Sequence, residues 1–202
     1  MSNEGESVLA RNAAAEANDG SQLADWARPT LYLGYGGVLH VGAGAMDPHG
    51  RILLDSGRRP FEYADLLGEM LASFPSVQIV ISCGWTETLG DIITKNLLPS
   101  TLRKRVVATT TALSAGLEHL EEGDRRALRI LRHARAVRAK RWLAIDPRAV
   151  AIPTGYRKHF LVTREDEALG SIDTQQQLES WLDRNASDAD KGDVDVQTQF
   201  PF

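Results

Sequence analysis

Between residues 30 and 163 the chain switches repeatedly between short, continuously apolar runs and longer amphipathic stretches, and this alternation confines it to few architectures. VQIVIS at 77–82 is apolar at consecutive positions over a strand's length, the pattern of a strand buried on both faces. TLYLGY at 30–35 reads the same way, with Pro29 ahead of it. Residues 105–109 and 142–145, the latter (WLAI) ending at Asp146, read as further strands, and 160–163 as a fifth. Between the first two runs, residues 61–74 place Phe61, Leu66, Leu67, Met70, Leu71 and Phe74 on one side at helical spacing, stopped by Pro75. Residues 86–98 read as a second helix closed by Pro99, and 124–140 as a third with Asp124 as N-cap. Residues 173–182 form the last, with Asp173 and Gln176 in capping-box positions. Strands alternating with helices imply right-handed crossovers and a mainly parallel sheet covered on both faces, an α/β fold of three layers.

The chain has 202 residues, enough for one ordinary domain plus tails. Its 43% apolar and 25% charged residues are those of a folded chain. A net charge of −4 supplies no overall field that would recruit nucleic acid or an anionic membrane. A single cysteine excludes a disulfide framework and a multi-cysteine zinc site. There is no apolar run of about 18 residues, so no membrane partner is expected. MSNEGES lacks the basic-then-apolar order of a secretory signal, and a cytoplasmic setting is expected. Residues 1–28, small and polar, read as a flexible arm, 29–184 as the domain, and 185–202 as an acidic flexible tail whose end carries Phe200 and Phe202.

In parallel α/β sheets ligands bind at the carboxyl ends of the strands. The residues to read are therefore 34–40, 82–85, 109–111 and 146–148. The first of these, Gly34-Tyr35-Gly36-Gly37-Val38-Leu39-His40, resembles the opening motif of the haloacid dehalogenase-like (HAD) phosphohydrolases, apolar strand then Asp-x-Asp-Gly-Val-Leu-His. Ile79-Val80-Ile81-Ser82-Cys83-Gly84-Trp85 is similar to the second HAD motif, a strand ending in Ser or Thr. Its Trp brings it close to the small-cap HAD domains of bacterial RNA-repair polyproteins. Arg125 and Arg126 stand at a helix start where the third motif supplies a cation, and Trp142 to Asp146 resembles the fourth. The resemblance implies a three-layer Rossmannoid core. The stretch between Gly37 and Phe61 is enough for a hairpin flap only, so the expected cap is minimal.

The departures from that pattern bear on function. The resemblance implies a first Asp that attacks phosphorus, a second that moves the proton, and a magnesium ion between them. Here those positions are Gly34 and Gly36, and a glycine can neither attack nor transfer a proton. Asp146 remains, followed by Pro147 and Arg148, a poor set for a metal that wants oxygen ligands. No catalytic residue, metal ligand or cofactor is therefore assigned. The expected function is a catalytically degenerate HAD-like module that binds or regulates. Its pocket of Gly34, Tyr35, Gly36, Gly37, Ser82, Arg125, Arg126 and Asp146 would hold a phosphorylated small molecule on backbone N–H groups and cations. The alternative is an active phosphatase or phosphotransferase that keeps Mg²⁺ and uses another acid, with Asp47 and Asp55 as the nearby carboxylates; Cys83 with His40 is a further nucleophile pair to weigh.

One helix is crowded with arginine. Arg129, Arg132, Arg135 and Arg138 form a patch that offers itself to nucleic acid or an acidic protein. The same run also suits a solvated outer face balanced by Glu118, Glu121, Glu122 and the acidic tail. No aromatic side chains interleave with it, so base stacking is not its strength.

Overall fold

The computed structural model describes residues 24–147 and 152–187. Most of the expected N-terminal arm, the tail beyond 187 and Arg148 lie outside the described residues. The strands expected from apolar continuity form: β1 (Thr30–Leu33), β4 (Gln78–Ile81), β5 (Val106–Thr109), β6 (Trp142–Asp146) and β7 (Phe160–Val162). They make one sheet in the order β5-β4-β1-β6-β7, and every pairing in it is parallel.

The pleat divides the core in two. Leu31, Leu33, Ile79, Ile81, Leu143 and Ile145 face one side and pack with α1 (Ala64–Met70) and α6 (Ile172–Asn185), through Leu67, Leu178 and Leu182. Tyr32, Val80, Ala144 and Trp142 face the other and pack on Ala127, Ile130, Leu131 and Ala134 of α5 (Glu122–Ala136). These are the three layers that alternating strands and helices demand.

The expected flap is a hairpin of β2 (Gly44–Met46) and β3 (Ile52–Leu54), antiparallel. Two residues fix where it lies. The Trp85 indole N–H donates to the Gly44 carbonyl at 3.1 Å. A Cβ at Gly44 would fall 2.3 Å from Trp85 Cζ2, so only glycine lets the strand lie against the ring.

Several expected details differ. The helix read over 86–98 is broken into α2 (Trp85–Leu89) and α3 (Asp91–Asn96), because Gly90 sits at φ 82°, ψ 161°, outside any helix. A short α4 (Ser100–Arg103) then leads into β5. Neither proposed cap acts as one: α5 starts after Glu121, which leaves Asp124 inside it, and α6 starts after Ser171. Described residues at both ends of the expected domain are hydrogen-bonded to it. Asp25 N–H donates to Gln78 Oε1, and Arg141 joins the Ala27 carbonyl to that of Asn185.

Candidate functional site

Sheet register assembles the site. Leu33 lies beside Ile81 on one flank and Ile145 on the other. The residues that follow, Gly34, Ser82 and Asp146, therefore line up across the carboxyl edge of three adjacent strands. Above them opens a cleft of about 870 Å³, bounded by the flap, the loop after β1, the start of α2 and the first turns of α5.

The loop after β1 is shaped by its glycines. Gly37 has φ +71°, and a Cβ there would meet Pro147 at 2.6 Å. The N–H of Gly34 is spent on the Ile145 carbonyl and that of Gly37 on the His40 carbonyl. Those of Tyr35 and Gly36 have no backbone acceptor among the described residues. The expected nest of N–H groups is thus narrower, centred on Tyr35 and Gly36.

Little room is left where the carboxylates of an acid-bearing site would begin. A Cβ at Gly34 would stand 3.3 Å from the Ile145 carbonyl oxygen and from Val38 Cγ2, and 3.6 Å from Asp146 Oδ2. One at Gly36 would stand 3.1 Å from the Gly42 carbonyl oxygen, because the chain entering the flap has closed over it.

Asp146 is buried and paired. Arg126 Nη2 donates to its Oδ1 at 3.0 Å, and Arg126 Nε lies 2.8 Å from its Oδ2. The first contact has hydrogen-bond geometry; the second is a close approach of opposite charges. Arg129 is fully buried and is held by Glu87 of α2, which also takes the Ser114 hydroxyl at 3.0 Å. Burial pulls the Arg129 guanidinium below its ordinary value, from a height that leaves it charged at neutral pH. Arg125 Nη1 lies 4.0 Å from the other Glu87 oxygen. Helix geometry explains the grouping: positions 125, 126 and 129 fall on neighbouring faces of one helical turn. The N-terminus of α5 stands at the sheet's carboxyl edge, so the positive end of its dipole adds to the same field.

The structure brings together most of the expected site, with exceptions. Tyr35, Gly36, Gly37, Arg125 and Arg126 line the cleft. Ser82 is fully buried beneath it, its Oγ receiving the Thr110 hydroxyl at 3.1 Å. Arg129 parts from the expected surface patch, since it is a buried member of the site. Arg132 is exposed but donates to the carbonyls of Leu113 and Ala115. Arg135 and Arg138 are exposed near the far end of α5, roughly 15 Å along the helix from the cleft at 1.5 Å per residue. Of the alternative acids, Asp47 is tied to Arg51 at 2.8 Å in the hairpin turn. Asp55 lines the cleft and accepts the Ala43 N–H at 2.8 Å. Burial pushes the Cys83 thiol up to about 12, so it carries no thiolate at neutral pH. His40 is fully buried, stacked on Trp85 and taking the Phe61 N–H at its Nδ1.

Sequence reasoning missed Glu87 and the rim acids Glu165 and Asp166, all of which line the cleft. Glu165 and Asp166 follow β7, so reading past the end of the fifth strand as past the others would have found them. Glu87 had no such signal, because its role depends on where α2 turns toward α5.

The residues present do not form the magnesium site that an acid-bearing relative would have. Positions 34 and 36 offer no oxygen side chain, both oxygens of Asp146 face Arg126, and no group of three or more His, Cys, Asp or Glu among the described residues could hold a metal ion.

Among the described residues no helix is long and apolar enough to cross a membrane. No curated protein and no solved structure gives a significant match. A family model described as the HAD domain in Swiss Army Knife RNA repair proteins matches residues 30–174, most of the chain and all seven strands. Shared order of motifs, a parallel sheet with the expected edge and this match lead to one conclusion: the chain belongs to the family of HAD domains found in RNA repair proteins of that type.

Proposed function

We propose that this chain is a binding module that uses the HAD cleft, in the cytoplasm and without magnesium, to hold a phosphorylated ligand it does not cleave. Given the family's RNA-repair setting, the ligand proposed is a phosphorylated RNA end. One observation carries the reading: the end of β1 offers Gly34 and Gly36 where attack and proton transfer need carboxyl groups, and the acid that remains is held by Arg126. A phosphoryl group would meet Arg125, Arg126, the N–H groups of Tyr35 and Gly36 and the start of α5. Glu165 and Asp166 on the rim repel an anion, which would orient the phosphoryl group toward the arginine end and the rest of the ligand toward the flap. Exposed Arg135 and Arg138 extend the proposal to a nucleic-acid backbone or an acidic protein running along α5. Isothermal titration with inorganic phosphate and with a 5′-phosphorylated RNA oligonucleotide, magnesium absent, tests it. Heat at millimolar concentration that is lost in Arg125→Ala supports the proposal; none from either ligand rejects it.

A second reading, an active phosphatase or phosphotransferase with a non-standard acid, is favoured by Asp55, the flap carboxylate that lines the cleft. Magnesium-dependent turnover of a generic phosphomonoester, abolished in Asp55→Asn, would establish it.

A further inference from the structure

We infer that Arg126 has taken the place of the divalent cation in this cleft, so that the site is closed to metal by a built-in guanidinium rather than merely short of ligands. The inference concerns the cation alone and stands or falls separately from the phosphorylated ligand proposed above.

Four observations lead to it. Arg126 meets both oxygens of Asp146, at 3.0 and 2.8 Å, and the two side chains are only 12% and 4% exposed. Magnesium and manganese require several oxygen ligands close to 2.1 Å. Asp146 could supply one only by loosening its pairing with Arg126, which would leave a largely buried guanidinium beside a second cation. Arg129, which is buried, and Arg125 project from the same turn of α5, so three guanidiniums stand at that end of the cleft. A doubly charged ion seated against Asp146 would therefore meet these guanidiniums at close range. Lastly, the positions that would have to compensate are not simply empty. The flap chain stands 3.1 Å from where a Gly36 side chain would begin, and a Gly34 side chain would begin 3.6 Å from Asp146 Oδ2, against the same Arg126–Asp146 pair. A carboxylate restored at 34 would thus begin beside the very oxygen of Asp146 that lies 2.8 Å from Arg126 Nε.

The proposal separates two ways of lacking a metal. If ligands alone were missing, restoring the first acid would create a site. If Arg126 holds the cation's place, it must also be removed. Manganese binding followed by electron paramagnetic resonance distinguishes them with no assay of activity. The wild-type chain and Gly34→Asp should each leave the free Mn²⁺ signal unchanged at millimolar protein. Gly34→Asp combined with Arg126→Gln should take up about one Mn²⁺ per chain and melt about 5 °C or more higher in excess Mn²⁺. Stoichiometric Mn²⁺ uptake by the wild-type chain, or by Gly34→Asp with Arg126 in place, overturns the inference. So does a double variant that is folded by circular dichroism and leaves Mn²⁺ free. Should the double variant fail to fold, the wild-type and Gly34→Asp titrations still decide the matter.

Discussion

Arg126 and Asp146 form a consequential pair of side chains, because Asp146 is buried, Arg126 is largely so, and each compensates the other. Replacing one member strands the other's charge in the interior, a loss of about 3–5 kcal/mol in comparable pairs. Arg126→Met should therefore lower the stability measured in urea by about that amount, and adding Asp146→Asn to the same chain should restore most of it. If the double variant is as unstable as the single one, charge pairing is not what Arg126 contributes. Two histidines make a second residue-scale prediction. Burial holds both His40 and His133 below the ordinary histidine value, and the Tyr32 hydroxyl lies 2.8 Å from His133 Nδ1. The unfolded chain thus binds protons more readily than the folded one. The stability gained from neutral rings is complete above the unfolded value, about 6.5, and is lost as pH falls through the lowered folded value. The urea midpoint should drop between pH 7.5 and 5, and His133→Gln should flatten the drop; an equal drop in the variant would assign it elsewhere. At this scale the sequence revealed absences better than partnerships. Glycines at 34 and 36 can be read directly, because a missing side chain needs no context. Whether Arg129 faces solvent or Glu87 depends on how α5 is rotated on the sheet, and the apolar positions Leu128, Ile130 and Leu131 surround too much of the helix to settle that angle.

Elements were readable where burial dominates and misread where one backbone residue decides. The strands are continuous apolar runs that suit the middle of a parallel sheet and little else, so their positions could be read to within a residue or two. The stretch 86–98 has a helix's composition throughout, yet Gly90 turns it at φ 82°, ψ 161°. This gives a test by sign. In a continuous helix Gly90→Ala would gain about 1 kcal/mol. In a backbone conformation essentially reserved for glycine it should cost about 1–3 kcal/mol. Thermal or urea unfolding of this exposed variant distinguishes the two, and a gain would mean that α2 and α3 are one helix. The flap illustrates a different limit. Chain length between Gly37 and Phe61 allowed a hairpin, but its seat on Trp85 comes from an indole N–H and a missing Cβ at Gly44, a pairing across more than forty residues.

Taken as a whole, the molecule has the scaffold of the HAD domains of RNA repair proteins, with glycine at positions 34 and 36 after β1. Its sheet edge, flap and third-motif cations remain in place around two glycines. Arg126 and Arg129 there are paired with Asp146 and Glu87. On the reading proposed above, such a cleft meets charge rather than transferring a group and needs no added metal. The most direct measurement uses one 5′-phosphorylated RNA oligonucleotide carrying a radiolabelled phosphate, with binding and phosphate release followed in the same samples in EDTA and in magnesium. Saturable binding that is equal under the two conditions, with no label released in either, is the predicted result. Release of labelled phosphate that requires magnesium would contradict the account.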